Sequence, residues 1–496
     1  MRYLSLAVAI GLAPLASQAC TLSFTSPGEG ATVRSPAITV YGVGGADAKE
    51  GDYGTVTATL NGSPFFNYSG SFTAAVSFLQ GRGVGVTLRP GQNFLFVSGR
   101  VGGCSASDTM TITYDPELIQ SKNKGMPPTN SCHGNPINTA VGNKYQSELD
   151  YQSNTAPLLR FERRYNSFDG YWRHTYSTRL VIGTTSLRLI LADGREVEFA
   201  RSGNTVTASS DEFGTLSPAA DGWFYASANQ EQFHFDAQGR LKRQADGEGR
   251  SLVLSYNDAL VTVTSDTGQS LGFTQDTRQQ PLTLEAPGTS VQYEYDIRKR
   301  LIGLKKSLDG STTTRRFLYE NTQYPRFLTG ITDERGIRYA TWTYDDQGRA
   351  ISSEHAGGAE KVTVAYNPDG SSTVTNALGK RTTYRFQTIQ GIRRITAIEG
   401  EPSANCPNSN ATFTYDDRGL VKTRTDNKGN VTTFDYNDRG LEVSRTEAHG
   451  TPQARTVLTA WHPTLFLPLT VTEPDRITTY RYDDQGRQLS QSVSPR

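Results

Sequence analysis

The sequence is poor in the residues that most soluble chemistry uses: 496 positions hold 6 His, 4 Cys and 3 Met. No two cysteines are spaced C-x-x-C and the histidines are scattered, which excludes a zinc or dithiol centre of the usual kind. It has no excess of either charge, with Lys+Arg at 50 and Asp+Glu at 49. A nucleic-acid binder normally carries a basic surplus, so that partner class is excluded. Apolar residues are only 35% of the chain, well below a compact globular enzyme. Beyond the first residues no stretch approaches the ~18 apolar positions of a membrane-spanning helix, so no integral membrane segment is expected. What is abundant is Gly 48, Tyr 24, Pro 22 and Phe 21. That mixture points to thin β-structure with many turns.

The N-terminus sets the compartment. Arg2 precedes an apolar run from Leu4 to Ala13, Pro14 breaks it, and Ser17-Gln18-Ala19 supplies small residues for cleavage. These are the three parts of a secretory signal, in a run too short to span a bilayer. Cleavage is expected between Ala19 and Cys20. A lipid-attachment site would want Leu three residues before the cysteine, where Ser17 stands. The chain is therefore expected to leave by the Sec pathway for the periplasm, cell surface or exterior. Export also permits disulfides.

Residues 20–114 alternate short apolar strands with Gly, Pro and Asn turns: Ala37-Ile38-Thr39-Val40, Val56 to Leu60 before Asn61-Gly62, Ser71 to Val76, Phe94 to Val97, and Thr109 to Tyr114. This is the pattern of a β-sandwich. The stretch resembles bacterial immunoglobulin-like modules. Cys20 precedes the first strand and Cys104 the last, so a Cys20–Cys104 bridge is expected to tie the ends together. Cys132 and Cys406 are left over, which is the sole ground for a second pairing. Residues 115–131, with Asp115-Pro116 and Pro127-Pro128, read as a linker.

Residues 132–205 open with Cys132-His133-Gly134-Asn135-Pro136-Ile137-Asn138. Gly142-Asn143-Lys144-Tyr145, Arg163-Arg164-Tyr165-Asn166-Ser167 and Trp172-Arg173-His174 follow. This series resembles the module that precedes the repeats in RHS (rearrangement hot spot) proteins. From residue 206 to 496 the chain is repetitive, and repeats outrank other signals. Three copies are nearly the same: Tyr344-Asp345-Asp346-Gln347-Gly348-Arg349, Tyr415-Asp416-Asp417-Arg418-Gly419-Leu420 and Tyr482-Asp483-Asp484-Gln485-Gly486-Arg487. Looser copies begin at Phe235, Tyr256, Tyr295, Tyr319, Tyr366 and Tyr436, and a second class of turn such as Asp426-Asn427-Lys428-Gly429 lies between them. These resemble tyrosine–aspartate (YD) repeats, and with the preceding module the RHS/YD resemblance covers about three quarters of the chain.

One unit shows the physics. Val431, Thr433 and Asp435 alternate with Thr432, Phe434 and Tyr436, so the two sets point to opposite faces. Asn437-Asp438-Arg439-Gly440 makes the turn, with Gly440 supplying a positive φ. A single hairpin cannot bury its apolar face, but stacked neighbours can. Tyr436 is expected to cover the turn base with its ring and keep its hydroxyl in water.

The chemistry-bearing residues have plainer explanations. Adjacent carboxylates such as Asp345/Asp346, Asp416/Asp417 and Asp483/Asp484 point apart in a strand or turn, and turn formation accounts for them better than acid–base catalysis. Their spacing does not fit an EF-hand loop. Cys132-His133 pairs a thiol with a base, yet neighbours in sequence rarely meet the required geometry. Arg173 and His174 read as packed or hydrogen-bonded. No G-x-S-x-G, H-E-x-x-H or G-x-x-x-x-G-K-[ST] motif is present.

The expected fold is all-β: an immunoglobulin-like sandwich followed by a curved YD-repeat hairpin sheet, part of an RHS-type shell. The resemblance implies a secreted scaffold related to toxin-delivery systems. The family's self-cleavage motif, P-x-x-x-x-D-P-x-G, has no counterpart, since the one Asp-Pro is Asp115-Pro116 in the linker. Neither self-cleavage, a toxin, nor enzymatic activity is expected, and no cofactor. The partner is an unidentified polypeptide or glycan held on a concave, tyrosine-lined surface. The alternative function is a carbohydrate-binding or adhesive surface protein.

Overall fold

The computed structural model describes residues 20–26, 29–33, 37–46, 52–71, 84–89, 91–102, 104–114, 119–401, 410–483 and 486–496. The expected signal, Cys406, and the Ser71–Val76 strand beyond its first residue lie outside them. Among the described residues the regular structure is strand, with three short 3-10 turns and no helix long and apolar enough to cross a membrane. The chain divides into two compact units, Met1–Tyr114 and Asp115–Arg496.

The first unit is two packed sheets. One holds β1 (Cys20–Ser26), β3 (Ala37–Ala46) and β6 (Val84–Thr87). The other runs β2 (Ala31–Val33), β8 (Cys104–Tyr114), β7 (Gly91–Val101), β4 (Tyr53–Leu60) and β5 (Ser63–Ser71). Alternation along each strand sends Val40 and Val86 from one side, and Leu95, Met110 and Ile112 from the other, into a shared core. Cys104 is disulfide-bonded.

The second unit begins with a correction. From Ile119 on, the segment expected to be a linker is packed in place. Ser121, Asn123 and Lys124 are buried, and the Lys124 ammonium lies 2.8 Å from Asp169 and 3.4 Å from Glu196. Proline and glycine there shape a strap, and its lysine pairs with carboxylates more than forty residues away. Five strands follow, β9 (Cys132–His133), β10 (Ile137–Asn138), β11 (Asn143–Gln152), β12 (Arg160–Asn166) and β13 (Tyr171–His174), in sequence order in one sheet. Four more, β14 (Arg179–Ile182), β15 (Ser186–Ile190), β16 (Glu196–Ser202) and β17 (Thr205–Ala208), form a second.

The repeats then build one antiparallel sheet of 26 strands in strict chain order, from β18 (Thr215–Ala219) to β43 (Gln488–Pro495). Each strand pairs with the next, most of them because short turns leave no slack for crossing over. The sheet coils. Phe213, beside its first strand, lies under Gly440, and the Gln230 amide donates to the Phe466 carbonyl 236 positions later (3.0 Å). The hollow of the coil is not left open: Phe161, Tyr165 and Trp172 of the five-stranded module share one buried core with Phe235, Leu252, Phe273, Phe317 and Trp342 of the repeats.

Candidate functional site

The recurring tyrosine, aspartate, glycine and arginine form the most regular constellation, and the turn at Tyr344 shows what each does. Asp345 carboxylate oxygens accept from the Gln347 amide (3.0 Å), the Arg349 amide (2.8 Å) and the Arg349 guanidinium (2.8 Å). Gly348 has φ of 77° and donates to the Asp345 carbonyl at 3.0 Å. Only a residue tolerant of that conformation closes so tight a turn. The Arg349 guanidinium then lies 4.2 Å from the centre of the Tyr366 ring in the next repeat, a cation–π contact.

The tyrosine hydroxyl is not in water, which corrects the sequence expectation. Tyr344 donates to the Leu328 carbonyl (2.7 Å), Tyr366 to Ala350 (2.7 Å), Tyr415 to Ile395 (2.6 Å), Tyr436 to Val421 (2.9 Å) and Tyr482 to Pro468 (3.0 Å). Each bond reaches back 14 to 20 residues. Burial pushes the Tyr436 hydroxyl up to about 12 and Tyr344 well above its ordinary value. The tyrosine is thus a rivet between hairpins. The other expected turn residues take the same places. Asp416 accepts from the Arg418 side chain and the Leu420 amide, and Asp483 pairs with Arg487 at 2.7 Å. Gly419, Gly440 and Gly486 all have positive φ. The second carboxylates Asp346 and Asp417 are exposed, while Asp345 and Asp416 are held in their turns. Neither pair converges on a common point.

The YD turns share one end of the sheet, because each joins an even-numbered strand to the following odd one; the Asp246, Asp333, Asn376 and Asp426 turns sit at the opposite end. The coil brings these two ends together at a seam. There Arg439 donates to the carbonyls of His462, Pro463 and Leu465, stacks 4.8 Å from the Phe466 ring, and lines a cleft of about 290 Å³ with Phe213, Leu467 and Asp246. A second cleft, about 360 Å³, lies between the strap and the hairpin tip at Ile392; Arg394 and Glu196 line it, together with Lys122 and Asp211, which pair at 2.7 Å.

The non-repeating residues are spent on holding the module inside the coil. Fully buried Arg163 pairs with Asp150 through Nε (2.5 Å) and Nη2 (3.0 Å), and the Tyr293 hydroxyl donates to the same carboxylate at 2.7 Å. Lys144 Nζ lies 4.1 Å over the Trp342 ring and donates to the Asn135 and Tyr145 carbonyls. Burial draws its pKa well below the ordinary lysine range. Buried Asp169 binds both Lys124 and Arg173 at 2.8 Å, and these cations hold its carboxyl below the usual range despite burial. His174 is buried between Phe161 and Phe273, with Nε2 3.1 Å from the Gln275 side-chain oxygen. Sequence reasoning missed Arg163, Asp150 and Lys124, since an isolated charge in a strand or strap carries no sign of its partner.

Cys132 is free, and Cys406, the partner considered for it, lies outside the described residues. Its thiol is half-buried, and burial pushes its pKa up. The neighbouring His133 ring packs on Tyr384 at 4.9 Å. Among the described residues no group of three or more His, Cys, Asp or Glu is placed to hold a metal ion.

Comparison with known proteins finds two family matches and several distant solved structures. Residues 134–199 match a domain of unknown function, DUF6531, and residues 415–452 match the RHS repeat. No curated protein matches the chain. A solved structure described as TcdB2-TccC3-TEV is 14% identical over 69% of this chain and 20% of its own, with a TM-score of 0.35. A Tc holotoxin pore from Photorhabdus luminescens is 9% identical over 91% of this chain and 30% of its own, with a TM-score of 0.33. The chain therefore spans under a third of the length of either.

Proposed function

We propose that this RHS-repeat chain is an exported, non-enzymatic scaffold of the kind that accompanies toxin-delivery systems. The observation that carries the reading is the use of the recurring chemistry inside the protein itself. The turn aspartates are bonded to their own turns, the tyrosine hydroxyls to neighbouring hairpins and many of the arginines to the next aromatic ring. An active site is a non-repeating cluster of mutually oriented groups facing substrate. Here the non-repeating charges face one another under the sheet. Export, signal cleavage after Ala19 and pairing of Cys104 with Cys20 belong to the same reading.

The test is turnover. The purified chain should show only background hydrolysis of peptidoglycan, polysaccharides, nucleic acids and casein. Reproducible turnover that disappears in Cys132→Ala, with the circular dichroism spectrum unchanged, would overturn the scaffold reading.

A further inference from the structure

The first unit carries a surface that the scaffold role of the second leaves unused. In the sheet β5–β4–β7–β8 one face is apolar and packed, with Val56, Ala58 and Val97 buried. The opposite face is built by the alternate residues. Strand β4 presents Thr55, Thr57 and Thr59. By register, Ser69 and Asn67 of β5 stand beside the first two, and Arg100 and Ser98 of β7 stand on their other side. Across β5, β4, β7 and β8 these rows continue to Ser105 and Ser107. These rows hold hydroxyls, one amide and the single charge of Arg100. Inside the array the Thr57 hydroxyl donates to Asn67 Oδ1 at 2.7 Å, which fixes the amide in place.

Two exposed rings bracket this polar strip. Tyr53 is 63% exposed at one end of β4, and Phe96, beside Thr59 at the other end, is 43% exposed. The Tyr53 hydroxyl bonds the Ser69 hydroxyl, which fixes its ring at the strip's edge. Six strand positions separate Tyr53 from Thr59, a span of ~20 Å at the usual rise per residue. A protein partner would want an apolar centre and a polar rim, the reverse of this arrangement. A nucleic acid would want several cations. A sugar chain fits both parts: its hydroxyls donate to and accept from Ser, Thr and Asn, and its C–H faces stack on aromatic rings.

We propose that this face binds a polysaccharide, laid along β4 with a sugar ring stacked on Tyr53 at one end and on Phe96 at the other. The site is independent of the scaffold reading, which rests on the second unit. The test uses the full exported chain on a glycan array, followed by titration of the best-bound oligosaccharide. Tyr53→Ala and Phe96→Ala should each weaken binding about tenfold, in line with the loss of one ring contact, and the double variant about a hundredfold. Tyr53→Phe, which keeps the ring, should bind within about twofold of the unaltered chain, whereas Asn427→Ser in the repeats should change nothing. Absence of any glycan bound by the unaltered chain would overturn the proposal. So would undiminished binding by the double variant with an unchanged circular dichroism spectrum.

Discussion

Strands β18 to β35 (Ile392–Gly400) and strands β36 (Ala411–Tyr415) to β43 belong to one sheet and use the same turns, but they differ in what lies beneath them. Under the first set sits the five-stranded module, and Trp223, Phe235, Leu252, Phe273, Leu304 and Trp342 are buried against it or its neighbours. In the second set Val457 is the one apolar side chain that becomes buried among the described residues, while Phe413, Phe434 and Phe466 stay half-covered. The Asp carboxylate, the Gly with positive φ and the Tyr rivet are present in both. Turn chemistry therefore propagates the sheet, and the enclosed module supplies its core. This is the division expected of a repeat array, where each unit is held by its neighbours and a filling element adds the larger hydrophobic share.

The largest effect should come from the filling. Trp172 is buried beneath Tyr165, Phe317 and the Arg163 guanidinium, and its indole N–H donates to the Tyr319 hydroxyl at 3.0 Å. Trp172→Ala should cost about 3–5 kcal/mol. Phe434→Ala, on half-covered β38 (Val431–Tyr436), should cost about 1 kcal/mol or less. Urea titration followed by tryptophan fluorescence and circular dichroism measures both. Equal costs would show that the two sets of strands do not differ in the way the burial indicates.

Acid should act on the first set through His174. Burial lowers its pKa to about 4, against ~6.5 for an exposed imidazole. The folded protein thus binds fewer protons than the unfolded chain between these values. Stability is full above pH 6.5 and falls as pH drops toward 4, by ~3 kcal/mol once both forms are protonated. The denaturation midpoint should follow that course, and His174→Gln should flatten it. A slope unchanged in the variant would assign the acid loss to other groups, His133 among them, whose pKa burial also lowers.

Turn glycines allow the seam to be tested apart from the turns. Gly440 and Gly429 both have positive φ, 71° and 85°. A β-carbon at Gly440 would meet the Phe213 ring at 2.4 Å, whereas at Gly429 it would meet nothing within 4 Å. Gly429→Val should cost roughly 1–2 kcal/mol from backbone strain alone. Gly440→Val should cost more, by roughly 1–3 kcal/mol of overpacking at the seam. If the two cost the same, the coil does not close on Phe213 in solution.

Much of this was legible in sequence, and the reason is local. Tyr344-Asp345-x-x-Gly348-Arg349 is a bonding pattern completed within six residues apart from the tyrosine and arginine reach, so repetition displays it directly. The strands and their alternation followed for the same reason. What stayed hidden depended on distant partners. Lys124 looked like part of a linker because Asp169 and Glu196, which bury it, lie far along the chain. The concave face of the repeat sheet looked available to a partner because the module's Trp172 and Phe161 gave no sign of their destination. A tyrosine hydroxyl carries no mark of the carbonyl it will find, so Tyr436 was expected to face water.

The smallest effect should be the same in both sets of strands. Tyr344 and Tyr436 make the same bond, hydroxyl to a backbone carbonyl 15 or 16 residues earlier, at 2.7 and 2.9 Å. Removing the hydroxyl leaves the ring in place and frees one carbonyl. Tyr344 is the more deeply enclosed, packing at 4.7 Å on Phe327 and against the buried core, so its orphaned carbonyl is the harder to rehydrate. Tyr344→Phe should cost about 1–2 kcal/mol and Tyr436→Phe about 0.5–1 kcal/mol. Equilibrium unfolding in urea resolves the pair when each is compared with the unaltered chain. A cost near zero at both positions would mean that the hydroxyl bonds do not tie the hairpins, leaving the aspartate turns and the backbone ladder to hold the sheet. A larger cost at Tyr436 would mean that the less-covered strands lean on the rivet because they have little else, and would reverse the order argued from burial.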